Sequence, residues 1–184
     1  MSSRADAVRS QLLLLRHRGG DRAALAELVA MWERPLLYYL RRLLAREEDA
    51  WDALQETWLR VVRELPRLRD DRAFPAWAYA IARRVALGML RRAETLEPLP
   101  GEEEGDTAIA AAEPPSLHGF DALDIHRALA RLSLAHRDVL ALHFLEGFSI
   151  AEIGAITGAA EGTVKSRLFH ARHALRARLQ GGTS

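Results

Sequence analysis

Ser149-Ile-Ala-Glu-Ile-Gly-Ala-Ile-Thr-Gly158 runs almost directly into Glu161-Gly-Thr-Val-Lys-Ser-Arg-Leu-Phe-His-Ala-Arg172. Ser149 and Glu152 stand at capping-box spacing, so the Ser149 hydroxyl can accept from the Glu152 N–H while the Glu152 carboxylate accepts from the Ser149 N–H. Phe148 and Ile153 flank this cap as a hydrophobic staple. Gly158 supplies the permissive backbone that ends the first helix. Val164, Leu168, Ala171, Leu175 and Leu179 then recur at helical spacing along a second helix. With that face assigned to a core, Lys165, Ser166, Phe169, His170, Arg172, His173 and Arg176 are left looking outward. A short capped helix followed by a longer one with hydrogen-bonding side chains near its start is the geometry that fits a DNA major groove. The plainer alternative is an amphipathic helix pair with a solvated arginine face.

The rest of the chain is needed to choose. Its 184 residues, 49% of them apolar, suffice for one domain or two small ones. The longest apolar runs are far too short to span a bilayer, and the start Met-Ser-Ser-Arg-Ala-Asp has no signal-peptide pattern, so a cytoplasmic protein is expected. Cysteine is absent, which removes disulfides, thiol catalysis and the usual structural zinc sites. The seven histidines show no metal-ligand spacing beside carboxylates. No metal, cofactor or catalytic residue is expected.

A net charge of +1 conceals how charge is divided. Residues 1–92 carry 18 basic and 12 acidic side chains, residues 93–126 none basic and nine acidic, and residues 127–184 eight basic and four acidic. Two basic blocks flank an acidic tether, in which Glu97-Pro-Leu-Pro-Gly-Glu-Glu-Glu-Gly-Asp106 and Glu113-Pro-Pro-Ser116 cannot build a core. The expected organisation is therefore all-α, with helical domains at 1–92 and 121–184 joined by a flexible linker at 93–120. Within the linker, 107–112 has a weak helical pattern. No strand-like alternation and no internal repeat is visible.

In the N-terminal block, helices are expected at 6–16, 21–45, 47–65 and about 74–92, with Pro35 kinking or dividing the second. The third shows an apolar stripe of Trp51, Leu54, Trp58, Val61 and Leu65. Its polar side places Glu48, Asp52 and Glu56 at successive i, i+4 positions, where like charges repel by about 0.2–0.5 kcal/mol per pair. Acids near a helix N-terminus account for Glu48 and Asp49 but not for Glu56, two turns in. Either the face is merely solvated or a basic partner docks on it. The fourth helix holds Phe74, Trp77 and Tyr79 near its start and Arg83, Arg84, Arg91 and Arg92 further on, a pattern suited to stacking bases and holding phosphates of a single strand. Periodicity assigns Trp77 to the core and leaves Phe74 and Tyr79 open.

With these segments together, the chain resembles the bacterial sigma-70 family of RNA polymerase sigma factors, in its small extracytoplasmic-function (ECF) branch, over nearly its whole length. Glu48-Asp-Ala-Trp-Asp-Ala-Leu-Gln-Glu-Thr-Trp-Leu59 resembles the segment that docks on the coiled coil of the polymerase β′ subunit. The resemblance implies that Asp49, Asp52, Gln55, Glu56 and Trp58 bind polymerase. Arg72-Ala-Phe-Pro-Ala-Trp-Ala-Tyr-Ala-Ile-Ala-Arg-Arg84 resembles the segment that opens and reads the −10 promoter element. Gly162-Thr-Val-Lys-Ser-Arg167, with Leu145-Glu-Gly-Phe-Ser149 ahead of it, resembles the helix-turn-helix that reads the −35 element, which implies that Thr163, Lys165, Ser166, Arg167, Phe169, His170 and Arg172 contact DNA.

By this resemblance the 1–92 domain is a sigma-2 helical bundle and the 121–184 domain a sigma-4 helix-turn-helix. The implied function is promoter-specific initiation without chemistry of the chain's own. Its partners would be core RNA polymerase (β′ coiled coil and, through Val139, Leu140, Leu142 and Phe144, the β flap), promoter DNA and an anti-sigma factor, with no insertion into a membrane. Localisation would be cytoplasmic and nucleoid-associated through polymerase, with tethering by a membrane anti-sigma factor a further option. The chain departs from the family pattern at Arg84, Gly88, Ala160 and His170. Rival readings are a stand-alone helix-turn-helix regulator and a sigma-like protein that binds polymerase without initiating. An enzyme is disfavoured by the lack of nucleophile–base spacing or a phosphate loop.

Overall fold

The computed structural model describes residues 4–94 and 127–181, and every regular element among them is helical. Helices α1 (Arg4–Arg18), α2 (Arg22–Leu43), α3 (Glu47–Glu64) and α4 (Phe74–Glu94) form the N-terminal half. Residues 127–130 are helical, and α5 (Leu134–Leu140), α6 (Ile150–Thr157) and α7 (Glu161–Gly181) complete the C-terminal half. Most of the expected linker, including its helical pattern at 107–112, lies outside the described residues.

The bundle of α1 to α4 forms because each helix buries apolar side chains against its neighbours, from one face in α2, α3 and α4 and through Leu13 and Leu14 in α1. Leu13 and Leu14 of α1, Leu28, Trp32, Leu36 and Leu40 of α2, Leu54 and Val61 of α3, and Phe74, Ile81 and Val85 of α4 are buried together. At its centre, Trp32 meets Phe74 and Tyr79 edge-on at ring distances of 6.4 and 6.2 Å. The Trp32 indole N–H donates to Ser10 Oγ at 2.8 Å, and the Ser10 hydroxyl donates to Asp6 O at 2.7 Å, so a polar pair inside the core is satisfied. Asp21 caps α2 by accepting from Ala23 N, and the Arg16 guanidinium hydrogen-bonded to it holds its carboxyl below the usual range.

Of the two alternatives for Pro35, division is excluded, and the expected apolar stripe of α3 is corrected. Pro35 does not divide α2, which runs unbroken through it. A proline inside a helix costs about 3 kcal/mol, and the burial of Trp32, Leu36, Leu37, Tyr39 and Leu40 around it outweighs that amount. The buried stripe of α3 is also displaced: Ala50, Ala53, Leu54, Thr57 and Val61 face inward, while Trp51 remains 43% exposed and Trp58 is half-buried. Small residues at 50, 53 and 57 let α3 approach α2 and α4 closely, which turns the larger Trp51 outward.

In the C-terminal half, the capping box is present as the sequence predicts. Ser149 N–H donates to Glu152 Oε2 at 2.8 Å, and Glu152 N–H donates to Ser149 Oγ at 3.3 Å. Gly158 closes α6 in the left-handed region at φ 74°. Phe148, Ile153, Val164, Leu168, Ala171, Leu175 and Leu179 are all buried. Because the cap fixes where α6 begins, Ser149→Ala is expected to lower unfolding stability by about 1 kcal/mol in urea denaturation.

Between α5 and α6 the chain makes a π-helical turn over Ala141–Leu145, continued by hydrogen bonds from Glu146 N to Ala141 O and from Phe148 N to Leu142 O. Gly147 follows at φ 80°, a conformation that side chains disfavour. His143 Nδ1 lies 2.9 Å from Phe148 O and must donate there, since a carbonyl can only accept. Val139 and Leu140 at the end of α5 and Leu142 within the turn are buried in the core, while Phe144 is 44% exposed. Of the expected flap-binding face, only Phe144 is therefore presented. The two halves pack on each other, α6 lying along α4 and α5 against α2.

Candidate functional site

Three surfaces carry the candidate residues. On α3, Asp52 and Gln55 are exposed, Asp49 and Glu56 half-exposed, and Trp51, Leu59 and Val62 add apolar area to the same side. Acids are partly neutralised within the helix: Arg60 Nε donates to Glu56 Oε1 at 2.6 Å, and Arg46 pairs with Glu48 at 2.5 Å. Such exposed pairs contribute little to stability, so the face remains negative without being strained. Trp58 contributes less than expected because most of its ring packs against the core.

On α7, Lys165 is exposed, and Thr163, Ser166, Arg167, Phe169, His170 and Arg172 are half-buried. The Arg172 guanidinium lies 5.2 Å from the centre of the Phe144 ring, and Phe169 stacks at 4.4 Å against His173 one turn on. Lys165 and Ser166 thus stand at the start of the helix, while the aromatic and imidazole rings pack beside one another further along. His170 Nε2 is buried and has no hydrogen-bond partner among the described residues, so it does not extend toward a phosphate in this arrangement.

On α4 the residues part company. Arg72, in the turn before the helix, and Arg84 and Arg91 on it are exposed, and Trp77 is half-buried beside Phe74 at a ring distance of 6.0 Å. Phe74 and Tyr79, expected as base-stacking residues, are fully buried. Phe74 is consumed by the Trp32 cluster. Tyr79 packs edge-on against Phe148 of the C-terminal half at 4.9 Å and against Tyr39 of α2 at 5.1 Å. Its hydroxyl donates to Glu146 Oε2 at 2.6 Å. Arg83 Nε donates to Asp138 Oδ2 at 2.6 Å, and Tyr39 Oη donates to Asp138 Oδ1 at 2.8 Å. Neither ring is open to a base while the halves are packed this way.

The sequence reading missed Tyr39, Asp138 and Glu146. A signal existed, since Asp138 precedes and Glu146 interrupts the largely apolar run from Val139 to Phe148, but nothing local identifies their partners. Burial pushes the Tyr39 and Tyr79 phenols well above their ordinary value. Burial also raises the Glu146 carboxyl, against the opposing effect of the Tyr79 hydrogen bond. The packed form therefore holds the Glu146 proton more tightly than the unfolded chain does. Its contribution is most favourable below the ordinary carboxyl value near 4.5 and weakens as pH rises through the elevated value. Glu146→Gln, which keeps an acceptor for Tyr79, is expected to match the parent chain at low pH and to melt at a higher temperature at neutral pH.

Comparison with known proteins gives these surfaces a context. The sigma-70 region 2 family model matches residues 28–95, and the sigma-70 region 4 model matches residues 122–175. The chain is 38% identical over 170 residues to the ECF RNA polymerase sigma factor SigM of Mycobacterium tuberculosis, covering 92% of this chain and 83% of that relative. The chain belongs to the ECF sigma factors of the sigma-70 family. SigF of Caulobacter vibrioides, another ECF RNA polymerase sigma factor, is 35% identical over 173 residues, 94% of each chain. Among solved structures, CnrH in complex with the cytosolic domain of CnrY superimposes with a TM-score of 0.70 at 24% identity, covering 95% of this chain and 99% of that one. The sigma factor RpoE bound to the anti-sigma factor NepR from Bartonella quintana gives 0.68 at 24% identity, covering 86% and 98%. These two likenesses extend the shared fold across both halves.

Region 2 thus includes most of α2, with α3 and α4, and region 4 contains α5, α6 and most of α7. Sigma factors are transcription factors rather than enzymes. Among the described residues, no group of His, Cys, Asp and Glu could hold a metal ion, and no helix is long and apolar enough to cross a membrane.

Proposed function

We propose that the three surfaces divide the work of a promoter-specific initiation factor. The acidic face of α3, with Asp49, Asp52, Gln55 and Glu56 and the edge of Trp58, docks on core RNA polymerase at the β′ coiled coil. Helix α4 and the turn before it present Arg72, Arg84 and Arg91, and after the halves separate Trp77, Tyr79 and Arg83, to the −10 element as it opens. Phe74 supports that face from the core instead of meeting DNA. Helix α7 enters the major groove at the −35 element, where Lys165 or Arg167 at a guanine edge would supply about 1–3 kcal/mol of discrimination. The observation that carries this reading is the pairing of an exposed acidic helix, unsuited to DNA, with a capped helix-turn-helix in the same chain.

Phe144 forms the exposed part of a contact with the β flap. The domains of this assignment are 1–92 and 121–184, with the acidic segment 93–120 between them directed toward the basic channel of polymerase. The protein works in the cytoplasm, and an anti-sigma factor, the kind of partner named for the RpoE structure, is its expected antagonist.

Fluorescence anisotropy tests the division of labour. Duplex promoter DNA should bind the isolated chain weakly and the chain with core polymerase tightly. Tight binding without polymerase would instead establish a stand-alone regulator. Binding to core polymerase without any gain in promoter affinity would establish a sigma-like protein that does not initiate.

A further inference from the structure

Phe144, in the π-helical turn, is joined through its ring to helix α7. The Arg172 guanidinium carbon lies over that ring, 5.2 Å from its centre, and the His143 imidazole meets it edge-on at 4.7 Å. His143 is itself fixed, donating from Nδ1 to Phe148 O at 2.9 Å, and Phe148 is buried. On α7, Val164, Leu168, Ala171 and Leu175 are buried, which sets the rotation of that helix about its axis. Ring and guanidinium are thus brought together by two elements anchored separately in one core.

Arg172 follows Lys165 by about two helical turns, on the same side of α7. A helix seated in the major groove reads base edges near its start, and its arginines further along are placed for the phosphate backbone. Ordering a long side chain at an interface loses conformational entropy, so a group that already holds the guanidinium favours binding. An aromatic ring attracts the cation while cancelling none of its charge. A carboxylate partner, such as Glu56 at Arg60, would instead compete with the phosphate.

We propose that Phe144 is a positioning residue for DNA binding, its ring holding the Arg172 guanidinium toward a backbone phosphate beside the bases that α7 reads. The inference rests on the reading of α7 as the −35 helix. Phe144 touches no DNA and acts only through Arg172. The 44% exposed ring thereby has a role in the chain itself, separate from a contact with the β flap.

The test uses the full chain without polymerase at low salt, with two fluorescent duplexes: one enriched by the parent chain from a randomised pool, and the unselected pool. Arg172→Ala should weaken binding to both about fivefold and reduce the slope of log affinity against log salt by about 0.9, the loss of one phosphate contact. Phe144→Leu, which keeps apolar bulk but removes the π face, should weaken both about threefold, and Phe144→Tyr should restore the parent affinity. Added to Arg172→Ala, Phe144→Leu should cause no further loss, because the ring then has nothing to hold. The ratio of affinities for the two duplexes should keep the parent value throughout, since a phosphate contact carries no sequence information.

Parent affinity in Phe144→Leu would overturn the positioning role. So would a second loss on top of Arg172→Ala, which would make the ring act on its own, or a changed affinity ratio, which would place it in base reading. Melting and far-UV circular dichroism show whether each variant stays folded, and Phe144→Met repeats the comparison with a second apolar side chain. If no duplex is enriched and Lys165→Ala binds the pool as the parent does, the reading of α7 fails and the inference with it. Enrichment with a loss in Lys165→Ala, but none in Phe144→Leu, would leave α7 on DNA and remove only the role of Phe144.

Discussion

Asp52→Arg is expected to weaken binding of the chain to core RNA polymerase about a hundredfold, equivalent to about 2.8 kcal/mol, without disturbing the fold. Asp52 is exposed on α3, one turn from Glu56 and from Glu48, so its side chain supports no core contact. Reversing its charge replaces an attraction to a basic partner by a repulsion at the centre of the docking face. An exposed substitution of this kind changes unfolding stability by about 0.5 kcal/mol or less, so a melting curve separates loss of docking from loss of structure. Competition against a labelled parent chain for purified core polymerase provides the affinity. Equal affinity of variant and parent would remove α3 from the polymerase interface.

Trp32→Ala should have the largest effect on stability, lowering it by about 3–5 kcal/mol. The side chain is 2% exposed, touches Phe74 and Tyr79 edge-on, and hydrogen-bonds Ser10. Its removal opens a cavity where α1, α2 and α4 converge and lets the wall behind Tyr79 relax. Trp32→Phe retains a ring but gives up the indole donor. Because the Ser10 hydroxyl keeps its bond to Asp6 O, the hydrogen-bond loss in that variant should be only about 1 kcal/mol. Chemical denaturation of both variants separates packing from hydrogen bonding. A loss below about 1 kcal/mol for Trp32→Ala would mean that this cluster is not the keystone of the bundle.

The sequence is most readable where structure is local. Ser149, Glu152 and Gly158 specify the first helix of the pair through bonds within one turn, and the stripe from Val164 to Leu179 specifies the second through its own period. Helices α3 and α4 are likewise bounded by nearby signals: acids at Glu47 to Asp49, and Asp70 capping the turn before Phe74 and Pro75. Local signals fail where a choice depends on a distant neighbour. Trp51 and Trp58 looked like one stripe with Leu54 because size was taken for burial, whereas close helix packing selected Ala50, Ala53 and Thr57. The intrinsic cost of Pro35 does not divide α2, because the surrounding core outweighs it.

The site shows the same division. Lys165, Asp52 and Arg84 face solvent as their helical positions imply. Tyr79 cannot be placed from its own helix, because its aromatic face is claimed by Phe148 and its hydroxyl by Glu146, 67 positions away. Tyr39 and Asp138 are 99 positions apart, and no periodicity records their bond. Val139, Leu140 and Leu142, expected on a surface, are buried in the core. In each case the missing information is the packing of one half on the other.

Run-off transcription tests the central claim most directly: purified bacterial core polymerase and fragmented DNA of the source genome, with and without this chain, followed by mapping of transcript starts. The account predicts discrete starts that appear only with the chain and share one upstream and one downstream sequence box, with Lys165→Ala weakening use of the upstream box. An unchanged set of starts, although the chain binds polymerase, would contradict it.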